Sequence, residues 1–164
     1  MTIKQIDVER VSVTSSKPFE NVVAALDAAV GHPDVEDLNQ KLRAAGTWSE
    51  SEQLVRCAVG KSGLMEFARY DLGGILRKKC GPASPRTVRL VIGNPLIMVE
   101  MLKDVPDAGS YAPVTILIDE RPDRVHLSYD RMVSLLNSYG SPDALNVARD
   151  LDSKVERLLA DAAN

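Results

Sequence analysis

Four side chains in this sequence are of types that could move a proton during a reaction. They are Asp71, Asp119, His126 and Tyr129. Carboxylate, imidazole and phenol groups act as general acids or bases where their surroundings tune the pKa. Asp119 and His126 lie on two apolar segments joined by a polar turn, so one interpretation is a carboxylate–imidazole pair for proton transfer. We favour the alternative, an exposed histidine on a polar strand face, because no nucleophile or third group accompanies the pair.

Asp71 also has a structural interpretation. It ends an apolar segment and directly precedes Leu72, where a short helix is predicted. Aspartate is strongly preferred at helix N-caps. We therefore expect Asp71 to cap this helix, and the alternative is that it faces a nearby pocket.

A different kind of site, an apolar ligand pocket, is indicated by the turn at Gly93-Asn94-Pro95. The apolar run Leu90-Val91-Ile92 stops here, and a helical pattern follows. Glycine tolerates unusual backbone geometry, and proline has the backbone angle of a helix start. Strand-to-helix turns of this kind often shape ligand sites. The predicted ligand-binding residues are Tyr70, Gly93, Asn94, Pro95, Ile97 and Met98.

Composition and charge exclude several classes of partner. A net charge of −3 and a pI of about 5.4 argue against a nucleic-acid binder and against attraction to anionic membranes. No apolar run approaches the ~18–20 residues of a membrane span, and the N-terminus has no apolar signal-peptide core. Two cysteines and two histidines are widely scattered, so we expect no metal, no cofactor and a cytoplasmic location.

Hydrophobic periodicity predicts about five strands and six helices, interleaved along the chain. This pattern favours an α/β or α+β fold in which helices pack on a mixed sheet. The sequence predicts a single α/β domain over 1–137 and an added C-terminal helix, within 138–164, packed on it. Two N-caps are predicted. Ser49 caps the third helix as part of a capping box with Glu52, and Asp130 caps the helix that follows the last strand.

Four segments together resemble the family catalogued as "domain of unknown function 302". They are Phe67–Asp71, Ile92-Gly93-Asn94-Pro95, Val114–Glu120 and Val125–Asp130. The resemblance covers roughly residues 10–137. It implies a small α/β domain of bacterial type that pairs as a homodimer, and it implies no established reaction.

The chain departs from the family pattern at positions that are polar or aromatic in the family. Leu72 stands where the family has histidine, Leu96 where it has lysine, and Ile92 where it has an aromatic residue. The tryptophan common in the family's hairpin is absent. Any polar site built on that histidine and lysine would therefore be more apolar in this chain.

We carry three functional hypotheses forward from the sequence. The first is a homodimeric binding or accessory domain for a small, mostly apolar molecule, with no nucleic-acid or membrane partner. The second is a small cofactor-independent enzyme of lyase or isomerase type in which Asp71, Asp119, His126 or Tyr129 carries the proton. The third is a protein-interaction module whose docking face is the C-terminal helix, with Leu151, Val155 and Leu158 as an exposed stripe.

Overall fold

The strands form because apolar side chains alternate with polar ones, so that one face of each strand can be buried. The computed structural model describes all residues, 1–164. Its strands are β1 (Arg10–Ser15), β2 (Met65–Asp71), β3 (Thr87–Gly93), β4 (Val114–Glu120) and β5 (Val125–Asp130). They form one sheet in the order β1-β5-β4-β3-β2, in which every neighbouring pair is antiparallel.

The expected α+β fold is confirmed, but the expectation of a mixed sheet is wrong in its strand directions. Helices between strands suggested crossovers to parallel neighbours. Instead, Asp71 pairs with Val88, and Ile92 pairs with Val114. Both connections therefore leave and re-enter the sheet at the same end, which makes the joined strands antiparallel.

The helices lie between and after the strands. They are α1 (Phe19–Asp27), α2 (Val35–Ala44), α3 (Trp48–Ala58), α4 (Leu72–Cys80), α5 (Pro95–Leu102), α6 (Met132–Leu136) and α7 (Pro142–Ala163), with 3₁₀ turns at Pro106–Ser110 and Asn137–Tyr139. None of the helices combines the length and hydrophobicity that a membrane-spanning segment requires.

The core lies between one face of the sheet and the helices. Ile116, Ile118 and Leu127 on that face are fully buried. The longest helix, α7, packs against β1, β5, α1, α5 and α6. Its apolar stripe is buried inside the domain rather than exposed, because Leu151, Val155 and Leu158 are each at most 4% exposed. The surface that the third hypothesis needs is therefore not available on this helix.

The opposite side of the sheet, which we call the outer face, carries no fully buried side chain in its central row. Strand register aligns Tyr70, Arg89, Leu117, Ser128 and Ser12 across β2, β3, β4, β5 and β1. Leu117 and Ser128 are half-buried, and the other three are exposed. The sheet thus has one face in the core and one face open.

Two predicted N-caps lie elsewhere in the structure. The cap of α3 is Thr47, whose hydroxyl accepts a hydrogen bond from the Glu50 amide, so the capping motif begins two residues before Ser49. Asp130 does not cap α6, because its carboxylate pairs with Arg10 across the β1–β5 ladder. A strand-end carboxylate held by a cross-strand arginine cannot also turn back to the helix amides.

Candidate functional site

A cavity of about 260 Å³ opens beside the turn that follows β3. Residues from α2, β2, the β3–α5 turn, α5, the start of β4 and α7 line it. They are Asn39, Leu42, Phe67, Gly93, Asn94, Pro95, Ile97, Met98, Met101, Ala112, Pro113, Val114 and Leu151. The cavity therefore lies where the end of the sheet meets the helical layer.

Asn94 fixes the backbone at the rim of this cavity. Its Oδ1 accepts a hydrogen bond from the Leu96 amide at 2.8 Å, which caps α5. Its Nδ2 donates to the Gly63 carbonyl at 2.9 Å, which ties the turn to the loop before β2. Pro95 occupies the first turn of α5, where its missing N–H costs nothing. An amide side chain is needed here because it donates and accepts at once.

Gly93 keeps the turn close to its neighbours. A Cβ at this position would lie 3.2 Å from the Pro113 Cβ and 3.5 Å from the Phe67 ring. The first distance is tighter than ordinary van der Waals contact, so a larger residue would push these two lining side chains apart. Gly93 is thus set by packing, since its backbone φ is not positive.

The lining of the cavity is apolar and carries no ionisable side chain. Its polar side chains are two amides, those of Asn39 and Asn94. Met98 and Met101 contribute flexible, polarisable walls that adapt to irregular shapes. Such a site holds a ligand by excluding water and filling space rather than by charge.

Five of the six residues predicted to bind a ligand lie around this one cavity. They are Gly93, Asn94, Pro95, Ile97 and Met98. Tyr70 does not line it, because it pairs with Arg89 on the outer face and is 50% exposed. Sequence reasoning missed the other eight lining residues. Two of them, Asn39 and Leu42, lie on one face of α2 because of their helical spacing, and nothing in the sequence links that face to the turn.

Asp71 and Tyr129, two of the four proton-carrying candidates, have structural partners. Asp71 Oδ1 accepts from the Gly74 amide at 2.7 Å and so caps α4, and its Oδ2 pairs with Arg77 at 3.2 Å. The Tyr129 hydroxyl is buried and donates to Asp152 Oδ1 at 2.6 Å. Burial, followed by the nearby Asp152 carboxylate, raises the pKa of Tyr129 well above its ordinary range.

The other two candidates lie on the outer face near the β4–β5 turn. Asp119 and His126 are register partners on neighbouring strands. The Asp119 carboxylate is hydrogen-bonded by Arg121, and His126 Nε2 lies 3.0 Å from Asp123. The hydrogen bond with His126 lowers the pKa of Asp123. None of the four candidates lines the apolar cavity, and the structure does not bring them together around one reacting centre.

One group of side chains has the composition of a metal site. Ligand atoms of Asp27, His32 and Glu66 lie within 4.8 Å of one another. The Arg69 guanidinium, however, forms ion pairs with both carboxylates. Its hydrogen bond to Glu66 is the main cause of a raised pKa for Arg69. A metal ion would have to displace this fixed cation, so the group is better described as an ion-pair cluster.

Comparison with known proteins identifies the type of domain. A family model described as domain of unknown function DUF302 matches residues 38–162, so the predicted family is confirmed. The expected extent of 10–137 is wrong at both ends, because the match begins at residue 38 and includes most of α7, which we expected to be an addition. The crystal structure of an uncharacterized conserved protein DUF302 from Bacillus stearothermophilus superposes with a TM-score of 0.65 at 13% identity, over 93% of this chain and 97% of that chain. At this identity the likeness concerns the fold alone. No curated protein matches the sequence.

Proposed function

Because the chain belongs to the DUF302 family, for which no reaction is established, we propose that it is a binding or accessory domain for a small, mostly apolar molecule. The ligand occupies the cavity beside Gly93-Asn94-Pro95. The observation that carries this proposal is a 260 Å³ cavity whose thirteen lining residues include no charged side chain. Apolar surface removed from water contributes roughly 25 cal/mol per Å², so a ligand that fills this space binds without any ionic contact.

The walls of the cavity support a preformed site. Met101 and Leu151 are almost fully buried, and Val114 is 4% exposed. The turn is held by hydrogen bonds to both the side-chain oxygen and the side-chain nitrogen of Asn94. A cavity held open by such fixed elements costs little to organise when a ligand binds.

We expect the substitution Met98→Trp to weaken binding of butylbenzene, an apolar probe of about ten non-hydrogen atoms, by at least tenfold. The indole would occupy the space between Met98 and the opposite wall. Ligand-observed NMR on the folded protein measures the effect. Glu100→Trp is the matched control, because Glu100 lies on the same helix, is exposed and does not line the cavity. Absence of butylbenzene binding to the unmodified protein, or equal binding to M98W, contradicts the proposal.

We also propose that the protein acts as a homodimer and that a second copy covers the outer face. Three features support this assignment. The row through Tyr70, Arg89 and Leu117 is left open by the chain's own helices. Four of the eight exposed large apolar side chains are clustered at the end of β2 and in α4, the helix that directly follows it; they are Tyr70, Leu72, Ile75 and Leu76. The face carries charges of both signs, which suits a self-complementary two-fold contact.

We expect Ile75→Asp to shift the protein from dimer to monomer in light scattering at micromolar concentration. Ile75 is 68% exposed, so this change removes apolar contact area without disturbing the fold of the monomer. Trp48→Asp is the matched control, since Trp48 is 54% exposed on α3, a helix that takes no part in the outer face. A monomeric unmodified protein, or a dimer equally weakened by W48D, would remove this part of the proposal.

A cytoplasmic location is part of the same proposal. Cys57 and Cys80 are both free and exposed. Exposed thiols persist in a reducing compartment, whereas oxidising ones convert them to disulfides or higher oxidation states.

A further inference from the structure

We infer that the ligand is a neutral molecule of about ten non-hydrogen atoms, with one hydrogen-bonding end held by Asn39. The inference rests on the proposed function of the cavity and goes further by naming the chemical class of ligand. Three independent properties of the cavity carry it: the absence of charge, the state of its two amides, and its volume.

The absence of charge determines that the ligand is neutral. The lining contains no lysine, arginine, histidine, aspartate or glutamate. An ion that leaves water for such a site loses its hydration, and only a partner charge or several hydrogen bonds offset that loss. Neither is present in the walls. A carboxylate or an ammonium group would therefore stay at the mouth, and a neutral molecule can enter fully.

The two amides determine how many polar groups the ligand carries. Asn94 already uses its oxygen on the Leu96 amide and its nitrogen on the Gly63 carbonyl. The Asn39 side chain makes no hydrogen bond within the chain, and the residue is half-buried on α2. One free amide, which both donates and accepts, matches one terminal carbonyl, hydroxyl or carboxamide. The rest of the ligand meets apolar walls.

The volume determines the size of the ligand. A dry apolar cavity of about 150 Å³ holds one benzene molecule, which has six carbon atoms. The same packing in 260 Å³ accommodates roughly ten non-hydrogen atoms. A medium-length alkyl amide or alcohol, or one ring with a short side chain, has this size.

The test compares three probes of about equal size by calorimetry on the full chain: octanamide, octanoate and butylbenzene. We expect octanamide to bind at least tenfold more tightly than octanoate, which is ionised at neutral pH. We expect Asn39→Leu to weaken octanamide at least fivefold and to leave butylbenzene unchanged. Gln40→Leu, at the neighbouring exposed position of α2, is the matched control and should change neither.

The possible outcomes distinguish a wrong ligand class from a failure of the proposed binding function. If none of the three probes binds, or if binding does not respond to Met98→Trp, the proposed function itself fails. If octanoate binds as tightly as octanamide and Met98→Trp abolishes both, the cavity is a binding site but the neutral class is wrong. If Asn39→Leu weakens octanamide and butylbenzene equally, the anchoring role of Asn39 is wrong.

Discussion

Replacement of Asp152 by alanine should lower the free energy of unfolding by about 2–4 kcal/mol. Asp152 is 1% exposed and lies on the buried side of α7. Its Oδ1 accepts from the Tyr129 hydroxyl at 2.6 Å and from the Met132 amide at 2.7 Å. Its Oδ2 accepts from the Val133 amide at 3.1 Å. Alanine leaves the Tyr129 hydroxyl and the Val133 amide without an acceptor, and it leaves the Met132 amide only its longer hydrogen bond to the Tyr129 hydroxyl at 3.3 Å. Each buried donor without a partner costs about 1–3 kcal/mol before relaxation.

Urea unfolding measures this loss, and two further variants show its origin. Asp152→Asn keeps one acceptor oxygen, so it should cost less than alanine. Tyr129→Phe removes one donor together with its hydrogen bond, and we expect a cost of about 1 kcal/mol. The double variant Y129F/D152A should be less destabilised than the sum of its parts, because the two side chains share one hydrogen bond. If D152A changes stability by less than about 0.5 kcal/mol, Asp152 does not organise this region.

Asp152 shows how a cap can come from a distant part of the chain. The amides of Met132 and Val133 are at the start of α6, where a helix has unpaired donors. Sequence reasoning assigned them to Asp130, the nearest acidic residue, because helix caps are usually local. The sequence does contain one indication of this role, in α7. Asp152 lies at helical spacing from Ala148 and Val155, on the buried side of the helix. An acidic residue on an apolar stripe indicates a buried polar partner, but not which one.

The start of α5 at residues 94–95 could be predicted because its residue types act locally. The capping of α5 by Asn94 and the helix start at Pro95 depend on immediate neighbours, unlike Gly93, which is required by packing against Pro113. Capping of α4 by Asp71 was predictable for the same reason. Each of these features follows from a few consecutive residues, and no knowledge of the sheet is needed.

The position of Tyr70 could not be predicted, because it depends on strand direction. Had β2 run parallel to β3, the end of β2 would lie beside the end of β3, with Tyr70 close to Gly93. The strands are antiparallel, so Met65 pairs with Gly93 and Tyr70 pairs with Arg89. The start of β2 therefore supplies Phe67 to the cavity. The incorrect prediction of a mixed sheet and the misplaced tyrosine both reflect strand directions that the sequence does not specify.

Gly31→Ala should cost about 3 kcal/mol or more in the free energy of unfolding. A Cβ at Gly31 would lie 2.0 Å from the Ala58 carbonyl oxygen and 2.8 Å from the Gly60 amide nitrogen. Both are backbone atoms, which cannot move aside as a flexible side chain can. The segment is further fixed because the Gly31 and Gly60 amides both donate to the Leu64 carbonyl at 2.9 Å. Any shift that relieves the clash therefore breaks the hydrogen bonds that tie the segments after α1 and α3 to Leu64.

Gly46→Ala is the matched control, because the nearest atom to its added Cβ is the Glu50 Oε2 at 3.7 Å. It should change stability by less than about 0.5 kcal/mol, and equal urea midpoints for G31A and G46A would contradict the prediction.

The close approach at Gly31 also affects the cavity, because the loop that it supports includes Gly63, whose carbonyl accepts a hydrogen bond from Asn94. Octanamide binding should therefore weaken in G31A even at temperatures where that variant is still folded. The rim of the cavity is thus positioned by a backbone contact between two glycines remote from it in sequence.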